Sequence, residues 1–187
     1  MKKISITVSG LSGSGKTYVA KFIAKKLKLK HYSAGELFRE FAKNSNKSLE
    51  DFCRTREKNI DLIIEKRTKE ILKKGNVVID GRLTSYVATE LIKKRKINCF
   101  RIYVDCPLKI RAKRVAKRDN IKYEEALKKI KERDKSDLKK YKEIYGINPL
   151  SKKFYDVIID NSKNIKSLNS KLEKMVYVFK AFMKGRI

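Results

Sequence analysis

At 187 residues the chain has room for one domain with an adequate core, and 41% hydrophobic content with nine tyrosines and eight phenylalanines argues for a globular fold over disorder. No run of about 18 apolar residues occurs, which excludes a membrane-spanning helix. The net charge of +28 comes from 49 basic against 21 acidic residues, but 37 of the basic ones are lysines spread along nearly every helix and only 12 are arginines, which fits a solvated surface and the steering of anionic small substrates better than a nucleic-acid footprint.

The first residues enter a strand, Ile4-Ser5-Ile6-Thr7-Val8, with no room before it for a signal peptide. Cys53, Cys99 and Cys106 are odd in number and form no C-x-x-C pair, so reduced thiols, no structural zinc and a cytoplasmic location are expected. The strand leads into Gly10-Leu11-Ser12-Gly13-Ser14-Gly15-Lys16-Thr17, a G-x-x-x-x-G-K-[ST] sequence that opens a helix carrying Val19, Phe22, Ile23 and Leu27. In that setting the glycines let consecutive N–H groups turn inward around a phosphate, and the helix N-terminus adds partial positive charge. Lys16 then reaches the β- and γ-phosphates of a nucleoside triphosphate, and the Thr17 hydroxyl is a ligand for Mg²⁺.

The first helix is predicted to run to about Leu29, with His31-Tyr32-Ser33 as a second strand; His31, the only histidine, reads as structural. Residues 34–74 are helical in pattern, with Ser48 as an N-cap and an apolar stripe of Ile60, Ile63, Ile64, Ile71 and Leu72 ending at a Gly75 cap. Arg67 shares the face of Ile60 and Ile63, either with its head snorkelling to water or holding an anion. Asn76–Asp80 reads as a buried parallel strand, a helix covers about Thr84 to Arg95, and Phe100–Val104 is the fourth strand. Pro107 starts the next helix, a Lys-rich helical segment spans Ile121–Tyr145, Asp156–Asp160 is the fifth strand, and a wide-striped helix follows from about Ser167. Strands alternating with helices predict an α/β fold, a parallel sheet flanked by helices, in one domain covering 1–187.

Ligands of such sheets bind beyond the carboxyl ends of the strands. Asp80-Gly81-Arg82 stands at one such end, and Arg111, Arg114 and Arg118 follow another, with Arg133 and Asp137 in the Lys-rich segment. This placement fits phosphoryl transfer between two phosphorylated ligands: the triphosphate on Gly10–Thr17, a second phosphate held by Arg39, Arg67 and Arg82, and Arg118 and Arg133 closing onto the transferring group. Asp80 would hold Mg²⁺ through water; otherwise it is a turn-former before glycine.

The chain resembles the nucleoside monophosphate kinases, and specifically the archaeal-type cytidylate kinases. The likeness covers nearly the whole chain and rests on Gly10–Thr17, Ser33-Ala34-Gly35-Glu36-Leu37-Phe38-Arg39-Glu40, Gly75-Asn76-Val77-Val78-Ile79-Asp80-Gly81-Arg82, Ala112–Arg118, Lys131-Glu132-Arg133-Asp134 and Tyr141–Ile147. The resemblance implies a five-stranded P-loop kinase fold with a helical monophosphate-binding subdomain at 34–74 and a lid at 121–137. It implies ATP as donor, CMP or dCMP as acceptor, Ala34, Arg39 and Arg82 around the acceptor, Arg114 on adenine, Arg118 and Arg133 on the transferring phosphate, and Asp137 on the acceptor nucleoside. Lys16 with Arg118 and Arg133 forms the expected catalytic set. Three departures stand out: Lys140 replaces an arginine, Leu83 an aspartate and Asn148 an aspartate; the large insert of the bacterial relatives is absent too. A monomer is expected. The rivals are another small-molecule P-loop kinase with a UMP, AMP or shikimate acceptor, and a basic RNA-associated ATPase.

Overall fold

A computed structural model describes residues 3–184. Its elements are β1 (Ser5–Ser9), α1 (Lys16–Leu27), β2 (Lys30–Ser33), α2 (Ala34–Asn44), α3 (Leu49–Thr55), α4 (Lys58–Lys74), β3 (Val77–Asp80), α5 (Thr84–Lys93), β4 (Cys99–Asp105), α6 (Leu108–Asp119), α7 (Tyr123–Tyr145), β5 (Val157–Asp160) and α8 (Ile165–Met183), with a single 3₁₀ turn at Lys152–Phe154. The five strands form one parallel sheet in the order β2-β3-β1-β4-β5. The strand order reverses beside β1, and the glycine loop leaves the sheet at that point.

The alternation in β1 explains how the sheet is covered. Ile6 and Val8 face α1 and α8 in a core with Val19, Ile23, Ile102, Val104, Leu172 and Val176. Ser5, Thr7 and Ser9 point the other way and are fully buried, yet each hydroxyl is satisfied. Ser5 donates to the Leu72 carbonyl, Thr7 pairs with Ser85, and Ser9 pairs with Thr84 and Ser85. Small hydroxyls let α5 lie close to the strand at no unpaired-polar cost. A second core on that side joins Ile79 and Val77 to Leu72, Val87, Ala88 and Leu91.

The helical stretch 34–74 is divided into three helices, with a break at Ser45 before the expected Ser48 cap and a second at Arg56. Ser48 caps α3 by accepting from the Asp51 amide at 3.0 Å, and Gly75 ends α4, both as the sequence indicates. Helix α1 stops at Leu27, two residues early, because Lys28 turns left-handed (φ 55°). The Lys-rich segment forms α7, one unbroken 23-residue helix, so residues 123–137 continue into a helix whose last residue, Tyr145, packs on Tyr86 of α5.

Candidate active site

The glycine loop has the backbone a phosphate cradle needs. Gly13 (φ 76°) and Gly15 (φ 91°) are left-handed, and a Cβ on Gly13 would lie 2.7 Å from the Arg111 carbonyl oxygen. The loop is held from outside by Asn161, at the end of β5, whose Nδ2 donates to the Ser14 carbonyl at 2.8 Å. Arg114 reaches the same carbonyl at 3.4 Å and the Asn161 carbonyl at 3.0 Å. Arg111 donates to the Ser12 carbonyl at 3.1 Å. The Ser14 hydroxyl is buried beside Gly10 with no hydrogen-bond partner, an unspent donor within the loop.

Asp80 ends β3 with no solvent exposure and gathers three groups. Thr17 donates to it at 2.8 Å, His31 Nε2 lies 2.8 Å from its other oxygen, and Ser33 donates at 3.4 Å. His31 is therefore part of the site, through Asp80. The turn after Asp80 is tight: a Cβ on Gly81 would come within 2.8 Å of both Ala34 Cβ and Thr84 Cγ2, so glycine is what allows β3 to meet the start of α2.

A cleft of about 550 Å³ opens above the loop, lined among others by Lys16, Thr17, Arg39, Asp80, Arg82 and Arg133. Burial, then Arg82, Arg133 and Arg39, lower the Lys16 ammonium to about 7 against the opposing pull of Asp80. Arg133 is also lowered, by burial and by Arg82. Arg82 is held above its usual value, because Asp137 and Asp134 more than offset its burial. Its guanidinium lies 2.5 Å from Asp137 and 3.1 Å from Asp134, but neither contact has hydrogen-bond alignment, so its terminal N–H groups remain unsatisfied. Asp134 is shared with Arg111 at 2.8 Å.

An adjoining pocket shares Gly35, Arg82 and Arg133 with the cleft and runs on between Ala34, Phe38, Asp61, Ile64, Thr68, Leu83, Asp137 and Tyr141. The structure thus brings together Lys16, Thr17, Ala34, Arg39, Asp80, Arg82, Arg133 and Asp137. Leu83 is an apolar part of this pocket wall. Lys140 donates to the Arg56 carbonyl at 3.1 Å.

Two expected residues stand differently. Arg67 is turned outward, 59% exposed and paired with Glu70, so it cannot hold the second phosphate. Its neighbour one turn back, Ile63, is also 46% exposed, so the inward face of α4 is set by Ile60, Asp61, Ile64 and Thr68 instead. Arg118 lines the cleft mouth but lies more than half exposed with its guanidinium forked on Asp119, the nearest anion available to a long side chain at the rim. Arg114 packs under the loop as described. Four residues the sequence reading did not single out, Arg56, Asp61, Asp134 and Asn161, are buried around the site. Asp134 was readable from spacing: with Ala126, Ile130, Asp137 and Tyr141 it falls on the buried stripe of α7, where a carboxylate needs a partner.

A parallel sheet with a phosphate-cradling loop at the strand reversal, facing a cluster of converging cations, defines a P-loop kinase. Solved structures agree at the level of fold: a gluconokinase from Sinorhizobium meliloti matches with TM-score 0.64 at 14% identity, covering 97% of this chain and 96% of that one. A shikimate kinase from Bacteroides thetaiotaomicron matches with TM-score 0.61 at 16% identity over 95% and 98%. More narrowly, residues 5–163 match the profile of the cytidylate kinase-like family, and the chain belongs to that family. Among its curated relatives, the cytidylate kinase of Methanopyrus kandleri is 42% identical over 86% of each chain, and that of Methanocaldococcus jannaschii is 44% identical over 84% of this chain and 88% of its own.

Proposed function

We propose that the cleft and its adjoining pocket carry out ATP-dependent phosphorylation of CMP, giving ADP and CDP, with the residue roles set out below. The chain is a phosphotransferase of the cytidylate kinase type. The observation that carries the assignment of roles is the set of desolvated cations, Lys16, Arg82 and Arg133, converging with the exposed Arg39 on one cleft whose nearby Asp134 and Asp137 are already shared with Arg111 and Arg56. Such a cluster is costly until anions enter, and a donor triphosphate and an acceptor monophosphate supply them.

In this reading residues 10–17 hold the β- and γ-phosphates through backbone N–H groups, the Ser14 hydroxyl and Lys16. Arg82 and Arg39 hold the acceptor phosphate. An oxygen of that phosphate attacks the γ-phosphorus, the bond to the bridging oxygen breaks, and ADP carries away the released charge. No general base is required, because a phosphate monoester is largely ionised at pH 7. Arg133 sits between the two phosphate sites and neutralises charge on the transferring group; Arg118, freed from Asp119, can swing in from the rim. Arg114 fits a place beside the nucleoside of ATP, and Ala34 and Asp137 one beside the acceptor nucleoside. Residues 34–74 serve as the acceptor-binding subdomain and 121–137 as the lid, within a single domain.

The Thr17 hydroxyl and the Asp80 carboxylate are hard oxygen donors that suit Mg²⁺, Asp80 through water, and the ion would supply positive charge against the donor phosphates. Among the described residues no group of three or more His, Cys, Asp or Glu could hold a metal ion, which fits an ion bound chiefly by nucleotide and water. His31 and Ser33 orient Asp80 for this task. Free thiols at all three cysteines suit a reducing, cytoplasmic location; the proposed acceptors include dCMP, and a monomer is the proposed state. Among the described residues no helix is long and apolar enough to cross a membrane. Coupled ADP release should rise with CMP and stay near background with AMP and shikimate. Indifference to every pyrimidine monophosphate would overturn the reading.

A further inference from the structure

One buried row of charges is not used by the phosphate chemistry. Arg56, at the break between α3 and α4, has a side chain with no exposure at all. Its Nε and Nη2 fork onto both oxygens of Asp61 at 2.9 and 3.2 Å, Nη2 also reaches Asp137 at 3.0 Å, and Nη1 donates to the Cys53 carbonyl. Asp137 in turn touches Arg82. The order is therefore Arg82, Asp137, Arg56, Asp61, leading away from the phosphate end. Asp137 and Asp61 both line the acceptor pocket, while Arg56 lies behind them against the ring of Phe38, 4.9 Å from its centroid.

We propose that Asp61 is the residue that selects cytosine, accepting a hydrogen bond from the exocyclic amino group of the acceptor base, and that Arg56 is the positioning residue that holds it there. This rests on the CMP kinase reading and deepens it. With the acceptor's phosphate at Arg82, Asp137 falls beside the sugar and Asp61 two links further on, beside the base. A carboxylate has about four lone-pair directions, and the Arg56 fork takes two, leaving acceptors directed at the pocket. Such a group favours cytosine, whose position 4 carries an N–H donor, and opposes uracil, whose position 4 carries another acceptor oxygen. Two Arg56 N–H groups donate to both Asp61 oxygens, an arrangement that suits an acceptor-only carboxylate; burial pushes the Asp61 carboxyl up, and those same bonds oppose the push. The other carboxylate on this wall, Glu65, is paired with Lys69 one turn along α4, so the test includes it as the rival acceptor.

The test compares CMP with the analogue lacking the 4-amino group, 2-pyrimidinone ribonucleoside monophosphate, in the full-length enzyme. Wild type should lose on the order of 10- to 100-fold in kcat/KM with the analogue, the range for a hydrogen bond to a charged group. In Asp61→Asn the same change of substrate should cost less than about threefold, because enzyme and substrate changes remove one shared interaction. UMP should gain on CMP in that variant while the KM for ATP stays put. Arg56→Lys should shrink the amino-group penalty partway, which a purely structural role would not do. Should Asp61→Asn fail to fold, Asp61→Glu keeps the charge, displaces the carboxylate and should also shrink the penalty. An undiminished penalty in the Asp61 variants, or one abolished by Glu65→Gln instead, would overturn the proposal alone. A wild type inert toward every pyrimidine monophosphate would overturn the underlying function as well.

Discussion

The two halves of the cleft are built from different material. The half that receives the donor comes from one continuous stretch, 10–17, and is made chiefly of backbone N–H groups fixed by left-handed glycines and by Asn161, Arg111 and Arg114 behind them. The half that receives the acceptor comes from side chains on α2, the β3 end and α7, and its central arginine is already matched with Asp134 and Asp137. Backbone dipoles need no counter-charge and can wait in place, whereas a buried guanidinium must have one. The donor half is thus preformed, and on the proposed reading the acceptor half would exchange internal carboxylates for the ligand's phosphate.

The largest test of that contrast is Arg82→Ala. It should raise the KM for CMP and lower kcat, with kcat/KM for CMP falling on the order of 100-fold or more, while the ATP dissociation constant changes by less than about threefold. Steady-state kinetics with equilibrium ATP binding separates the two, and an equal loss of ATP affinity would show that the halves are not distinct.

The donor half has its own signature in pH. The Lys16 ammonium is lowered to about 7, so it loses its proton as pH rises through that value in the free protein, whereas bound phosphates favour the charged form. ATP binding should therefore take up a proton above pH 7, and affinity should weaken by up to about tenfold per pH unit until the bound-state value is reached. Calorimetry in two buffers of different ionisation enthalpy, with EDTA present, reads the proton directly. In Arg82→Ala the midpoint should move upward, since after burial the positive charge of Arg82 does most to lower Lys16.

The smallest effect belongs to Arg67, which lies in neither half. Arg67→Ala should leave kcat and both KM values within about twofold, the usual scale for an exposed i,i+3 pair. A large rise in the KM for CMP would return it to the acceptor site.

The sequence reached the donor half almost completely because that half is local: strand, loop and helix are contiguous, and the motif specifies its own geometry. The sheet was equally legible, since Val77–Asp80 and Val157–Asp160 are short apolar runs beside glycine or turn signals. Arg82, Arg133 and Asp137 were found by resemblance and by position. Arg56 and Asp61 were not, because a cation in a short linker and an acid in the first turn of a helix look like solvated ends. Only the docking of α3 on α7 makes them interior. Arg67 failed for the converse reason: a 3.6-residue period places it near Ile60 and Ile63 but does not say which edge of the stripe faces inward.

Helix α7 joins these regions mechanically. Arg133, Asp134 and Asp137 stand over the cleft on the same rod that ends at Tyr145, whose ring packs 5.5 Å from that of Tyr86, itself 5.5 Å from Phe154. With no break along 23 residues, the cleft end cannot move alone. On the proposed reading, a nucleotide that drew Arg133 inward would tilt the whole rod about its aromatic footing, which would then act as a fulcrum for the grip on the ligand.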